Sequence, residues 1–111
     1  MVRRHAWVFL VTGLLLLLAP AAPTRAEGDH VAVARLRGIV NPPAASYIDR
    51  ALSEAERSGA TVFVLQLDTP GGLDSSMRQI VQRLLASTIP VVGYVSPPGA
   101  RAGSAGVYIT Y

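Results

Sequence analysis

One stretch, Val62-Phe63-Val64-Leu65-Gln66-Leu67-Asp68-Thr69-Pro70-Gly71-Gly72-Leu73, restricts what this chain can fold into more than any other. An apolar run of strand length stops at Asp68 and turns through Pro70, Gly71 and Gly72. From Leu73 onward apolar residues recur at helical spacing. The run is apolar on both faces, as in a strand covered by helices on each side. Two consecutive glycines place backbone N–H groups, unshielded by any Cβ, at the carboxyl end of that strand. This is the edge on which open α/β sheets bind their ligands.

The remaining elements follow from the same signals. Residues 31–40 read as a first strand with partial alternation, stopped by Asn41-Pro42-Pro43, and one of these prolines suits the first turn of a helix. Tyr47, Ile48, Ala51, Leu52 and Ala55 then predict a helix over 43–58, with Gly59 at its C-cap. The second strand covers 61–67. Leu73, Met77, Ile80, Val81, Leu84 and Leu85 form the apolar stripe of a second helix, which Asp74 or Ser75 is expected to cap and Pro90 to end. Residues 91–95 are a third short strand, 96–100 a proline-rich loop, and a third helix opens near Ser104. The β-α-β-α-β-α order implies parallel strands joined by right-handed crossovers, hence an α/β layered fold. Residues 27–111 are expected to be the N-terminal part of a domain in a longer protein, because a third helix begins at Ser104 and the sequence stops at Tyr111.

Before this domain, Arg3 and Arg4 precede a nearly all-apolar segment from Ala6 to Ala19, and small residues lead up to Glu27. That is the layout of a secretory signal over residues 1–26, cleaved after Ala26, with an uncleaved anchor as the alternative. Arg3, Arg4 and Arg25 account for the entire formal excess of +3. The rest of the chain balances seven arginines against seven acids, so the high pI does not indicate nucleic acid, and no arginine-aromatic face supports it. Cysteine is absent, which excludes disulfides and thiolate metal sites.

The chemistry-bearing candidates lie on two small-residue corners. The first is Gly71-Gly72, expected to form an oxyanion hole. The second is Gly99-Ala100-Arg101-Ala102-Gly103-Ser104-Ala105-Gly106, which holds the candidate nucleophile Ser104 at the start of a helix. The alternative is a pair of ordinary strand-to-helix turns, and the pattern is not G-x-S-x-G, because Ala102 stands two residues before the serine. A serine nucleophile needs a base. His5 and His30 are badly placed for a triad, and the chain contains no lysine, so the base must lie beyond Tyr111. Asp68 suits a structural role better than that of base or metal ligand, since it can accept backbone N–H bonds and fix its turn. Arg101 could steady a substrate carboxylate or simply be an exposed loop residue. No metal constellation and no phosphate-binding glycine loop is present, so neither a metal nor another cofactor is expected.

Taken together, Gly38-Ile39-Val40-Asn41-Pro42, Gln66 to Leu73, Pro90-Val91-Val92 and Gly99 to Gly106 resemble, in order and spacing, the N-terminal domain of the NfeD family, membrane-bound serine proteases related to the ClpP class. The resemblance spans residues 31–111. It implies a ClpP/crotonase-like layered fold with a parallel sheet and flanking helices, and a Ser-Lys dyad endopeptidase. On that pattern Ser104 is the catalytic nucleophile, and Gly71, Gly72 and the N–H of Ala105 form the oxyanion hole. The family's lysine falls past Tyr111, so residues 1–111 are expected to be inert by themselves. Where the family usually has alanine, this chain has Gly103. The resemblance further implies a protein substrate, apolar segments of a stomatin-like membrane partner, and an exported, membrane-associated protein with its protease domain on the extracytoplasmic side. A homodimer is compatible with this reading. The alternative is a non-catalytic membrane-associated scaffold of the same fold.

Overall fold

A computed structural model describes residues 28–111, so the expected signal segment lies outside the described residues. Strand β1 spans Val31–Arg37, helix α1 Pro42–Arg57, β2 Val62–Asp68, α2 Asp74–Leu85, β3 Val91–Val95 and α3 Ala105–Thr110. The strands form one parallel sheet in the order β1-β2-β3, with Ala34 opposite Leu65 opposite Gly93, and Leu36 opposite Leu67 opposite Val95. The alternating β-α order thus produces the parallel sheet that the sequence implies.

Local chemistry explains the boundaries. Strand β1 is shorter than its apolar pattern because Gly38 adopts φ +97°, which breaks the extended run after Arg37. Helix α1 begins one residue earlier than expected, with Pro42 in its first turn. Asn41 caps it, its Oδ1 accepting the Ala44 N–H at 3.0 Å. The helix closes at Ser58, and Gly59 follows with φ +72°. At α2 the expected side-chain cap does not form. Leu73 occupies the cap position, and the Asp74 carboxylate instead accepts a hydrogen bond from Arg78 Nε at 2.8 Å, one turn along the helix.

Burial in β2 alternates strictly. Phe63, Leu65 and Leu67 are fully buried and meet Ile48, Leu52, Ala55, Met77, Ile80 and Ile109 from the helices. The opposite face carries half-buried Val62, Val64 and Gln66, flanked by exposed Val31, Val33, Val92 and Tyr94. Contrary to the expectation from its apolar run, β2 is therefore covered by helices on one face only among the described residues. The apolar stripe of α2 is also narrower than its spacing indicates. Met77 and Ile80 are buried, whereas Leu73 and Leu85 at its ends are exposed, and Ser76 takes a buried position on the same side. Among the described residues, no helix is long and apolar enough to cross a membrane.

Helices α1 and α2 are joined by charge as well as by apolar packing. Arg83 on α2 donates from Nε to Asp49 (2.6 Å) and from Nη2 to Glu56 (2.7 Å) and Ser53 (3.1 Å), all on α1. Glu56 also accepts the Thr88 backbone N–H at 2.9 Å, which fixes the chain just past the end of α2. The Arg83 hydrogen bond, with the Thr88 N–H second, lowers the Glu56 carboxyl from 4.5 to about 2. A carboxyl depressed in the folded state stabilises above its unfolded value and loses that contribution as pH falls toward the folded one. Glu56→Gln is therefore expected to cost roughly 1–2 kcal/mol at neutral pH. Urea unfolding of both forms should show the gap closing as pH falls from about 4.5 toward 2, and a gap independent of pH would refute the assignment.

A second expectation comes from Gly72. A Cβ there would collide with the Val40 carbonyl oxygen and stand 2.6 Å from the Val40 nitrogen, both rigid backbone atoms. Gly72→Ala should destabilise the domain by about 1–3 kcal/mol or more. Gly28→Ala, where the added methyl meets nothing within 4 Å, serves as the control. Equal melting temperatures for the two variants would contradict the close approach.

Candidate active site at the carboxyl edge of the sheet

Past the ends of the named strands, three backbone segments continue side by side. Val40 pairs with Gly72 on one side, and Thr69 pairs with Ala102 on the other. The Val40 N–H donates to the Gly71 carbonyl (2.9 Å) and the Leu73 N–H to the Val40 carbonyl (2.9 Å). The Thr69 N–H donates to the Arg101 carbonyl (2.7 Å), and the Gly103 N–H to the Thr69 carbonyl (2.9 Å). The two glycine-rich corners of the sequence are thereby held together as neighbouring rungs of one sheet edge.

Ser104 sits at the tip of the second corner. Among the described residues it is the only non-glycine residue with positive φ (φ 50°, ψ −113°). The Gly106 N–H donates to the Gly103 carbonyl at 2.8 Å, closing a four-residue turn with Ser104 at its second position. Those angles match a type II′ turn, a position that glycine usually fills. Holding a serine there costs on the order of 1–3 kcal/mol, and such strain concentrates at functional sites. The residue is exposed, while Ala105 and Gly106 behind it are buried.

The first corner faces this serine directly. Gly71 has φ +110°, and a Cβ on it would stand 2.7 Å from Ser104 Cβ and 3.2 Å from the Ala105 nitrogen. Only glycine leaves this space empty. Gly103 meets the same corner from the other side, where a Cβ would come 3.0 Å from the Pro70 oxygen, so glycine there lets the two backbones approach without displacement.

Of the three amides expected to form the oxyanion hole, one is already engaged. The Gly71 N–H donates to Thr69 Oγ1 at 3.1 Å. The Gly72 and Ala105 N–H groups meet no acceptor among the described residues. Because C=O and N–H point in opposite directions across a trans peptide, and the Gly71 carbonyl faces Val40, the Gly72 N–H points away from Val40. Of the three expected amides, Gly71 is therefore already paired, while Gly72 and Ala105 have no acceptor among the described residues.

The other candidates separate from the site or support it. Asp68 has a structural contact, but with the serine loop and not with its own turn: its Oδ1 accepts the Arg101 N–H at 3.3 Å. Arg101 is an exposed loop residue whose main chain, through that bond and the one from Thr69, anchors the loop. His30 lies ahead of β1, at the opposite end of the parallel sheet, where its Nε2 is 3.1 Å from Ser58 Oγ. Among the described residues no cluster of His, Asp or Glu could hold a metal ion. Thr69, fully buried and central to the site's hydrogen bonds, is absent from the sequence-derived candidates. A hydroxyl two residues before a glycine amide, the pattern of a side-chain turn, was the signal that could have identified it.

Ser104 opens on a cleft of about 540 Å³ lined with Val107, Tyr108 and Tyr111. Tyr108 also borders a second cleft of about 400 Å³, lined by Asp74, Met77, Arg78, Val81 and Gln82. An exposed hydroxyl, two free amides and apolar walls can together receive an acyl group and stabilise negative charge on its oxygen.

Known proteins resemble this chain in sequence and in fold. The chain is 40% identical over 100 residues to the membrane-bound protease PH1510 of Pyrococcus horikoshii, covering 90% of this chain and 22% of that protein. The chain thus spans about a fifth of that relative's length. A lysine-to-alanine mutant of the 1510-N membrane-bound stomatin-specific protease, solved in complex with a substrate peptide, superposes with a TM-score of 0.71 at 44% identity, over 73% of this chain and 37% of that one. A mutant of ClpP1 from Listeria monocytogenes matches at TM-score 0.57 and 21% identity, over 70% of this chain and 44% of that one, and shares the fold alone. The architecture is therefore the ClpP-like α/β fold. The model of the NfeD1b N-terminal domain matches residues 30–111, and on that match, the parallel sheet and the paired glycine corners, this chain belongs to the NfeD1b family.

Proposed function

We propose that this domain is the nucleophile-bearing part of a membrane-associated serine endopeptidase. The observation that carries the reading is the strained, exposed Ser104, set against the cleared backbone of Gly71 with the Gly72 and Ala105 amides unpaired beside it. Ser104 Oγ attacks the peptide carbonyl, giving up its proton to a lysine amine that the full-length protein supplies from outside these residues. The carbonyl oxygen, now negative, is held by the Gly72 and Ala105 N–H groups. The lysine returns the proton to the leaving amine, and water releases the acyl group from the serine.

The relatives support the substrate class. A protein 44% identical to this chain is described as stomatin-specific and was solved with a substrate peptide. Val107, Tyr108 and Tyr111 beside Ser104 offer apolar contacts suited to the same kind of substrate, an apolar segment of a stomatin-like membrane protein. Export through the signal segment over residues 1–26 places the domain on the extracytoplasmic side in this reading, with the membrane partner within reach.

Reaction of the full-length protein with a fluorophosphonate tests the proposal. Ser104 should carry the label, and Ser104→Ala should lower both labelling and peptide cleavage by about 10³-fold or more. Undiminished labelling of the alanine variant would take the serine out of the mechanism. A folded wild-type protein that neither labels nor cleaves would favour a non-catalytic scaffold.

A further inference from the structure

Thr69 has no assigned part in the chemistry above, yet its main chain and methyl group join one corner of the site to the other, and its hydroxyl ties down the glycine corner. Its N–H and carbonyl pair with Arg101 and Gly103 on the serine loop. Its methyl group lies where a Cβ on Gly106 would come within 2.7 Å, so it fills the space beneath the first turn of α3. Its hydroxyl accepts the Gly71 N–H at 3.1 Å, within the glycine corner itself. The residue is fully buried.

We propose that the Thr69 hydroxyl is a positioning group for the oxyanion hole, fixing the Gly71 peptide so that the Gly72 amide is held ready opposite Ser104. Gly71 has the freest backbone in the protein's repertoire and sits at φ +110°, so nothing intrinsic holds it in place. Hydrogen bonds to Val40 and to Thr69 do so, among them one from the Thr69 hydroxyl to the Gly71 carbonyl at 3.4 Å. The Val40 N–H holds the Gly71 carbonyl at 2.9 Å, and Thr69 Oγ1 holds the Gly71 N–H. With both ends of the residue tied, the direction of the next amide, that of Gly72, is set before any substrate arrives. Preorganisation of this kind gives an oxyanion hole its advantage over water. Thr69 touches no reacting atom and acts through Gly71, while its backbone sets the distance to the serine loop.

The assignment rests on the peptidase reading of Ser104, so it is tested by two measurements, one of which does not depend on activity. In the full-length protein, Thr69→Val keeps the shape and removes the hydroxyl, and Thr69→Ser keeps the hydroxyl and removes the methyl. The probe is a fluorophosphonate, whose phosphoryl oxygen occupies the oxyanion position on reaction. Thr69→Val should lower the maximal labelling rate about 10- to 100-fold, with the half-saturating probe concentration changed by less than about twofold. Thr69→Ser should recover the rate to within about threefold of wild type, an order-of-magnitude expectation for a retained hydroxyl. Equal losses in the two variants would assign the effect to the methyl packing and overturn the proposal, as would an unchanged rate in Thr69→Val. The second measurement is hydrogen exchange at the Gly71 amide of the unmodified protein, which should be slow. Exchange at the rate of an open amide would overturn the proposal even if the valine variant failed to fold. A wild-type protein that shows a protected Gly71 but no label on Ser104 would refute the peptidase reading instead.

Discussion

The site depends on a close approach of backbones that no side chain could permit. Gly72 lies against the main chain of Val40, and Gly71 against Ser104. At both contacts a single methyl group would occupy space already filled. The short distance lets β1, β2 and the serine loop continue as a sheet edge after their regular strands have ended. It also lets an exposed hydroxyl and two unpaired amides share one rim. The strain at Ser104 is sustained because the turn around it is closed by Gly103 and Gly106 and clamped to Thr69 by a pair of backbone hydrogen bonds.

The apolar core and the candidate site occupy different regions of the molecule. The core beneath the sheet is aliphatic and centred on Phe63, Leu65 and Leu67. The network of Arg83 with Asp49, Ser53 and Glu56 ties α1 to α2 through their outward-facing positions. The half-buried Arg83–Glu56 pair, with the more exposed Arg83–Asp49 pair beside it, holds the frame, while the loops at the carboxyl edge carry unpaired amides and an unfavourable backbone angle. Such separation of a rigid scaffold from site-bearing loops is the usual division of labour in α/β proteins.

Much of this was legible in the sequence. Periodicity located the three strands and the first two helices, because each strand is short and bounded by Gly or Pro and both helices carry an apolar stripe, while the small residues around Ser104 marked the start of the third helix. The paired glycines and the small residues around Ser104 marked the two corners, since only such residues suit strands that turn so tightly. Other features depended on tertiary context. Nothing in the apolar run of β2 distinguishes a strand covered on both faces from one whose second face carries Val64 beside exposed Val33 and Val92. The missing side-chain cap reflects where the helix begins: Asp74 is its first residue and the cap position falls on Leu73, a one-residue boundary that the local pattern does not set. The buried hydroxyl of Thr69 was hidden by its neighbours, since in Asp-Thr-Pro-Gly-Gly the glycines and the carboxylate draw attention first. The pairing of the Gly71 amide, one of the three expected donors, follows from that hydroxyl.

The central claim is that attack by Ser104 places the oxygen of the attacked group between the Ala105 amide of its own corner and the Gly72 amide of the other. A crystal structure of the full-length protein with a phosphonate bonded to Ser104 examines it most directly. The account predicts a phosphoryl oxygen about 2.7–3.1 Å from both the Gly72 and Ala105 nitrogens. A phosphoryl oxygen turned to solvent, with those two amides bonded elsewhere, would contradict it.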